Sequence, residues 1–132
     1  MVDTVDSLVV FAGTRKRVVR LTNISDGTGE SGVTKIDRSA LIGPDGDAPT
    51  YLIVEKIEYA CSGIQVRLFW DDATDDEIAL LDGAGFFDWT EAGGLKPPQI
   101  PGDATEGDIL LTTFGHTLGD GYTITLYLRL KD

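Results

Sequence analysis

The sequence predicts an all-β protein, an antiparallel β-sandwich with a jelly-roll-like arrangement of about eight strands. Short runs rich in Val, Ile, Leu, Thr and Tyr are separated by turn signals, which include repeated Asp-Gly pairs, 16 glycines and 5 prolines. Several runs alternate apolar and polar residues with a period of two, which is typical of half-buried strands. The one helical pattern, at residues 75–81, is too short to predict more than a single turn of helix.

The predicted strands follow from these patterns in chain order. Strands are expected at about residues 8–12, 17–24 and 33–36. Residues 51–70 predict a hairpin in which Ser62-Gly63 forms the turn. Further strands are expected at 85–90 and 107–114. The last predicted strand, residues 122–131, has the clearest alternation, with one apolar face made of Tyr122, Ile124, Leu126, Leu128 and Leu130.

A chain of 132 residues has the usual size of one domain. We therefore expect a single β-sandwich domain over residues 1–132, with a short N-terminal arm at about residues 1–7. The chain is 42% hydrophobic and has no apolar run near 18 residues. These features predict a soluble globular protein.

The net charge is −11, from 22 acidic and 11 basic side chains. Such a charge repels phosphate backbones and anionic bilayers, so neither nucleic acid nor a membrane is expected as a partner. The first ten residues lack the basic segment of a secretory signal, which indicates synthesis in the cytoplasm.

The sequence offers little for catalysis or metal binding. Cys61 and His116 are the only residues of their types, so a disulfide within the chain and a multi-histidine metal site of the cupin kind are both excluded. Cys61 ends an apolar strand and is expected to pack rather than react. We expect no enzymatic activity, no catalytic or metal-ligating residues and no cofactor.

Two clusters leave an alternative open. Five acidic residues between Asp71 and Glu77 predict a solvated turn, with weak Ca²⁺ binding as the alternative. Nearby aromatic residues are expected in the core or at an interface, with a sugar-stacking platform as the alternative. These aromatic residues are Trp70, Phe86, Phe87 and Trp89.

Several short runs, in this order, resemble small structural proteins of tailed bacteriophages, and together they span about residues 26–132. The resemblance lies in Asp26-Gly27-Thr28-Gly29-Glu30-Ser31, Val33-Thr34-Lys35-Ile36-Asp37, Ser62-Gly63 with Val66 to Trp70, Gly93-Gly94-Leu95, residues 107–113 (GDILLTT), and Gly119-Asp120 before Tyr122-Thr123-Ile124. Residues 1–25 depart from this pattern. The chain is most similar in this respect to capsid decoration, or cement, proteins.

The resemblance implies a non-enzymatic protein on the outer capsid surface of a virion. Such proteins bridge and stabilise subunits of the major capsid protein and commonly associate as dimers or trimers. The extended segments of this chain are the expected capsid contacts, because long connections can reach across subunit boundaries. The candidate contact residues are Val2, Val5, Leu8, Asp26, Thr28, Glu30, Leu95, Lys96, Pro97, Pro98 and Ile100.

An alternative function uses the same fold. A carbohydrate-binding module, or a module of a phage tail or fibre, would also be a β-sandwich without catalytic residues. This alternative predicts that Trp70 or Trp89 is exposed to solvent, whereas the decoration protein predicts both rings in the core or at an interface.

Overall fold

The protein is almost entirely β-structure. The computed structural model describes residues 4–13, 15–25, 27, 29–71, 75–97, 107–115, 117 and 119–131. Within these residues there are seven strands: β1 (Thr4–Ala12), β2 (Lys16–Ile24), β3 (Val33–Ile36), β4 (Tyr51–Trp70), β5 (Asp76–Asp88), β6 (Ile109–Phe114) and β7 (Gly121–Lys131). Short 3-10 helices cover Arg38–Ala40 and Thr90–Ala92.

The strands form one antiparallel sheet that curls into two layers. The first layer, called sheet 1 here, has the order β1-β2-β7-β4-β5, and it uses the first half of β4. The second layer, sheet 2, has the order β3-β6-β4-β5 and uses the second half of β4. The β2–β3, β3–β4, β5–β6 and β6–β7 connections each pass from one layer to the other. This is the strand order of a jelly roll, so the predicted fold class is confirmed.

Strand β4 belongs to both layers. Its residues 51–62 pair with β7 and its residues 65–70 pair with β6, while β5 follows it along the opposite edge. Gly63 lies at the change of partner with φ +72°, a conformation that favours glycine. The predicted hairpin at residues 51–70 is therefore wrong. Ser62-Gly63 bends the strand without reversing it, because each half finds a distant strand to pair with.

Strand β5 corrects a second local prediction. Residues 75–81, predicted as at most a turn of helix, lie almost wholly in β5, and residues 76–82 pair with residues 65–70 of β4. Acidic residues at this position would favour the start of a helix in an isolated segment. In the folded chain the segment pairs with β4 instead, and this pairing buries Ile78 and Leu81. The described strands number seven rather than about eight, because the two predicted strands of residues 51–70 are one.

The core lies between the two layers and draws on both. The period-two alternation of β7 predicted an apolar face of five side chains, and all five are buried in the core. Along β4 the inward set changes phase, because a bulge between Val54 and Lys56 adds one residue. Inward side chains from both layers form one apolar cluster, which includes Leu21, Leu52, Ile57, Val66, Leu68, Leu81, Ile109, Leu111 and Leu126.

The N-terminal segment is part of the sheet. Residues 4–7 of the predicted arm belong to β1 and pair with residues 21–24 of β2. In the part of the chain that the structure describes, no helix is both long and apolar enough to span a bilayer.

Candidate functional site

Strand β1 exposes apolar side chains on both of its faces. Val9 pairs with the buried Val19, so it lies on the face that looks toward the core, whereas Leu8 pairs with the exposed Arg20 on the outer face. Val10 lies in a β-bulge between Val9 and Phe11. The large apolar residues of β1 are between 42% and 57% exposed; they are Val5, Leu8, Val9, Val10 and Phe11. We call these five residues the β1 patch.

The core-facing side of β1 remains accessible because of its position in the fold. β1 and β3 are the end strands of sheets 1 and 2. A groove of about 170 Å³ lies between these two edges, with Ser7 and Val9 on one wall and Ile36, Ala40 and Leu41 on the other. The core side of β1 therefore faces a groove rather than a covering strand.

β1 also lacks two of the features that commonly protect a sheet edge. Exposed edge strands are commonly interrupted by proline or carry lysines, which discourage pairing with another chain. Thr4–Ala12 contains neither, and its single charged residue is Asp6. An apolar edge of this kind is typical of a surface that another protein covers.

Two of the predicted contact residues belong to this surface. Val5 and Leu8 lie in the β1 patch, and Val2 lies outside the described residues. The sequence analysis did not select Val9, Val10 or Phe11, which complete the patch. The run Leu8-Val9-Val10-Phe11 was the available signal: an uninterrupted apolar run indicates either burial on both faces or a surface that needs a partner.

Glu30, another predicted contact, is buried and serves the fold. Its carboxylate accepts hydrogen bonds from Asn23 Nδ2 at 2.7 Å and Tyr122 Oη at 2.5 Å, and it forms an ion pair with Lys35 at 2.5 Å. Asn23 and Tyr122 belong to sheet 1, whereas Lys35 belongs to sheet 2. The carboxylate of Glu30 therefore serves the fold, because a carboxylate with a side chain only 6% exposed must have polar partners and finds them inside the protein. The role of Glu30 as a capsid contact stays a prediction.

The connection after β5 is only partly described. Leu95 is half-buried and forms a β-bridge with Val54, through hydrogen bonds of 2.8 and 2.9 Å between the two backbones. Lys96 is exposed and Pro97 is half-buried. Four predicted contacts lie outside the described residues: Asp26, Thr28, Pro98 and Ile100.

The two tryptophans lie in or against the core. Trp70 is 2% exposed. Trp89 is half-buried and stacks on Phe87, with ring centroids 5.5 Å apart, and Phe87 stacks in turn on Tyr59. These three rings pack against the main core cluster. The alternative function predicted that Trp70 or Trp89 is exposed to solvent. Trp70 does not meet this expectation, because alternation along β4 directs its side chain inward.

A different aromatic group lies on the outer face of sheet 1. Lys56 Nζ lies 5.5 Å from the ring centroid of Phe86 and 5.6 Å from that of Tyr127. Tyr127 donates a hydrogen bond of 2.7 Å to Glu58, which together with Lys56 lowers the pKa of the Glu58 carboxyl. The same hydrogen bond raises the pKa of Tyr127. An open depression of about 420 Å³ lies on this sheet, with Thr22 and Thr123 in its lining.

Of Cys61 and His116, the structure describes only Cys61. Cys61 is half-buried, and burial, followed by the nearby Asp82 charge, raises the pKa of its thiol to about 11. His116 lies outside the described residues. A thiol with this pKa is almost entirely protonated near neutral pH and is a poor nucleophile.

Of the acidic residues between positions 71 and 77, Asp76 and Glu77 lie in β5. Among described residues, no group of three or more His, Cys, Asp and Glu side chains is placed to hold a metal ion. Asp71 is half-buried, and its backbone exchanges hydrogen bonds of 2.8 Å with Gly107 and Asp108. Glu77 lies in β5 and forms an ion pair with Arg67. Asp72 lies outside the described residues.

Comparisons with known proteins give structural similarity alone. No protein-family model matches the sequence, and no characterised protein matches it at the level of sequence. Among solved structures, a cupin superfamily protein from Desulfitobacterium hafniense is 15% identical, with a TM-score of 0.40 over 100% of this chain and 82% of the other. CtCBM11, a carbohydrate-binding module, is 13% identical, with a TM-score of 0.38 over 100% of this chain and 85% of the other. At these levels of similarity, no residue role is transferred from either protein.

Proposed function

We propose that this chain is a non-enzymatic structural protein of a tailed-phage virion. In this function it is a capsid decoration protein, which lies on the outer surface of the shell and bridges subunits of the major capsid protein. The sequence resemblance described above suggests this class. The structural observation that supports the proposal is the β1 patch, because an exposed apolar strand edge is suited to contact with another protein.

The β1 patch is suited to assembly on energetic grounds. Covering a half-exposed Val, Leu or Phe side chain contributes on the order of 1 kcal/mol. Five such residues on one strand therefore provide a contact of useful strength, and the free backbone groups of the strand edge add hydrogen bonds to it. A protein present in many copies on a shell also gains avidity when its assembly engages several sites at once.

The connection that follows β5 supplies a second contact in this proposal. Lys96 is exposed beside Pro97, whose ring restricts the backbone before any partner binds. A restricted segment loses less conformational entropy on docking than a flexible one. We therefore propose residues 96–101 as the segment that contacts the capsid surface.

A carbohydrate-binding or tail-associated module is the second candidate function. The observation that favours it is the exposed ring of Phe86 beside Tyr127, Glu58 and Lys56 on the outer face of sheet 1. Rings that are accessible to solvent can stack on sugars, and nearby carboxylates can accept hydrogen bonds from hydroxyl groups. This candidate predicts glycan binding that is lost in Phe86→Ala.

Co-sedimentation with mature capsids that lack this protein tests the proposed function. We expect saturable binding at a copy number that fits the icosahedral symmetry of the shell. Deletion of residues 96–101 is expected to weaken attachment while the circular dichroism spectrum stays unchanged, and Ile42→Ser, which alters an exposed apolar residue elsewhere, serves as the control. Absence of binding, or binding of only the few copies found at one vertex, contradicts the decoration function; glycan binding that depends on Phe86 would then support the second candidate.

A further inference from the structure

Three buried polar side chains meet between the two layers at one end of the sandwich. Asn23 lies in β2 of sheet 1, Lys35 lies in β3 of sheet 2, and Glu30 lies in the connection between these strands. The side chains of Lys35 and Glu30 are 9% and 6% exposed, and Asn23 is 2% exposed. The fold therefore places a primary amine, a carboxylic acid and a primary amide together, in a site that excludes most water.

The two oxygens of the Glu30 carboxylate contact the amine and the amide separately. Oε2 lies 2.5 Å from Lys35 Nζ, and Oε1 accepts a hydrogen bond of 2.7 Å from Asn23 Nδ2. Tyr122 Oη donates a further hydrogen bond to Oε1, and the backbone of Glu30 is held by Thr113. One fixed carboxylate thus joins the nitrogen of the amine to the nitrogen of the amide.

We propose that Lys35 and Asn23 form an isopeptide bond within the chain, with Glu30 as the acid–base catalyst. Glu30 takes a proton from the Lys35 ammonium, and the Nζ lone pair then attacks Asn23 Cγ. The Nζ–Cγ bond forms and the Cγ–Nδ2 bond breaks. Nζ gives up two protons in all, and Glu30 transfers them to Nδ2, which departs as an ammonium ion while the carboxylate is regenerated.

The reaction exchanges one amide for another, so it needs no oxidant, reductant or further reactant. A lysine amine in water is protonated and strongly hydrated, and it does not attack amides. Three features of this site favour the attack. The fold holds the two reacting groups beside each other, a carboxylate is placed to move the protons, and exclusion of water suppresses hydrolysis. The described geometry is that of the side chains before they react.

The bond would join β2 of sheet 1 covalently to β3 of sheet 2. It closes the connection between these strands into a loop, which limits the freedom of the unfolded chain as a disulfide does. Cys61 is the only cysteine of the sequence, so a disulfide cannot supply this constraint within one chain. The inference goes beyond the proposed function and does not depend on what the protein binds.

Tryptic peptide mapping of the purified protein tests the bond. Trypsin cleaves the unlinked protein after Arg20, Lys35 and Arg38 and releases residues 21–35 as one peptide. An amide at Nζ removes the charge that trypsin recognises. The linked protein is therefore expected to give a single peptide of residues 21–38, with a mass lower by one ammonia, or about 17 Da.

Two results would overturn the inference. One is release of residues 21–35 at their unmodified mass, both directly after purification and after days of incubation of the folded protein. The other is a loss of ammonia with cleavage after Lys35 retained, because a succinimide at Asn23 loses the same mass but leaves the lysine free. Fragmentation of the linked peptide is expected to give no sequence ions from breaks between Asn23 and Lys35, since that stretch is a closed loop.

Two variants test the roles of the amine and the carboxylate. Lys35→Arg keeps a positive charge beside Glu30 but replaces the amine with a guanidinium, which is a poor nucleophile, so no ammonia is lost. Glu30→Gln cannot accept the proton, and its peptides are expected at unmodified mass. Lys16→Arg is the control, because Lys16 lies in a more exposed ion pair with Glu55, and the bond is expected to form in full. Loss of ammonia in Lys35→Arg would contradict the assignment even if Glu30→Gln fails to fold.

Discussion

Lys35 Nζ lies 2.5 Å from Glu30 Oε2, and the two side chains are only 9% and 6% exposed. The same carboxylate accepts hydrogen bonds from Asn23 and Tyr122 in the opposite layer of the sandwich. Glu30 also joins β6 through its backbone, which exchanges hydrogen bonds with Thr113. One buried acid therefore connects sheet 1 to sheet 2 at the end of the sandwich where β2 and β6 finish.

Glu30→Gln is expected to destabilise the protein by about 3–5 kcal/mol, because it leaves the buried Lys35 ammonium without its counter-charge. Urea unfolding followed by circular dichroism measures this change. Lys16→Gln removes one partner of the more exposed ion pair with Glu55, at 3.7 Å, and is expected to cost less than about 1 kcal/mol. Similar losses in both variants would show that the Glu30 pair does not connect the layers as described.

Gly63→Ala is expected to destabilise the fold more than Gly83→Ala. Both glycines have positive φ, +72° and +69°, so either substitution costs about 1–2 kcal/mol of backbone strain. A Cβ at position 63 would clash with the Asp120 carboxylate, whereas nothing lies within 4 Å of one at position 83. The Asp120 carboxylate accepts hydrogen bonds of 2.9 and 2.7 Å from the backbone N–H and hydroxyl of Thr117, and displacing it costs about 1–3 kcal/mol more. Thermal unfolding of the two variants compares these costs, and equal melting temperatures would contradict the expected clash.

Cys61 is expected to react slowly with thiol reagents. Its pKa is raised to about 11, so near pH 8 its thiolate fraction is roughly a hundredfold below that of a free cysteine. Iodoacetamide labelling followed by mass spectrometry, with free cysteine as the reference, measures the rate. Labelling at the rate of free cysteine near neutral pH would contradict the half-buried position of this residue.

The same shift has a consequence for stability at alkaline pH. Between about pH 8.5, the ordinary value for a thiol, and about pH 11, the unfolded chain loses the Cys61 proton while the folded chain retains it. The unfolded state then binds fewer protons, so this residue makes stability decrease as the pH rises through that window. Cys61→Ser is expected to show a weaker decrease over the same range in urea unfolding, and an identical decrease in both proteins would contradict this assignment.

The intrinsic tryptophan fluorescence is expected to be blue-shifted and poorly quenched by acrylamide, because Trp70 is buried and Trp89 is stacked on Phe87. Adding glycans is expected to leave the spectrum unchanged. Trp89→Phe isolates the signal of Trp70, which should be the less accessible of the two. Efficient quenching of that signal would place Trp70 at the surface, contrary to the inward face of β4.

Period-two alternation was sufficient to predict most strands. It located residues 122–131 and the inward face of β7, because one face of this strand is buried and the other is more accessible to solvent. The alternation failed to predict the continuity of β4, since a Ser-Gly pair between two apolar runs is equally compatible with a turn and a bend. Only the pairing of the two halves with β7 and β6 decides between these possibilities.

The candidate site was less predictable than the fold. Val5 and Leu8 were selected from the N-terminal segment, but the exposure of Val9, Val10 and Phe11 depends on β1 being the end strand of its layer. Glu30 was expected as a capsid contact because it lies in the glycine-rich connection at residues 25–32. Its burial depends on Asn23, Lys35 and Tyr122 converging from three strands, which local sequence does not reveal.

The sequence by itself determined the all-β class, the antiparallel strands and the apolar face of each clear strand, because backbone periodicity and turn residues act over a few positions. Tertiary structure alone decided which strands became edges, where β4 changes partners, and which polar side chains were buried. Those outcomes depend on contacts between residues far apart in the chain, such as Glu30 with Tyr122. The apolar β1 edge is the clearest example, since among the described residues β2 is the one strand that pairs with it.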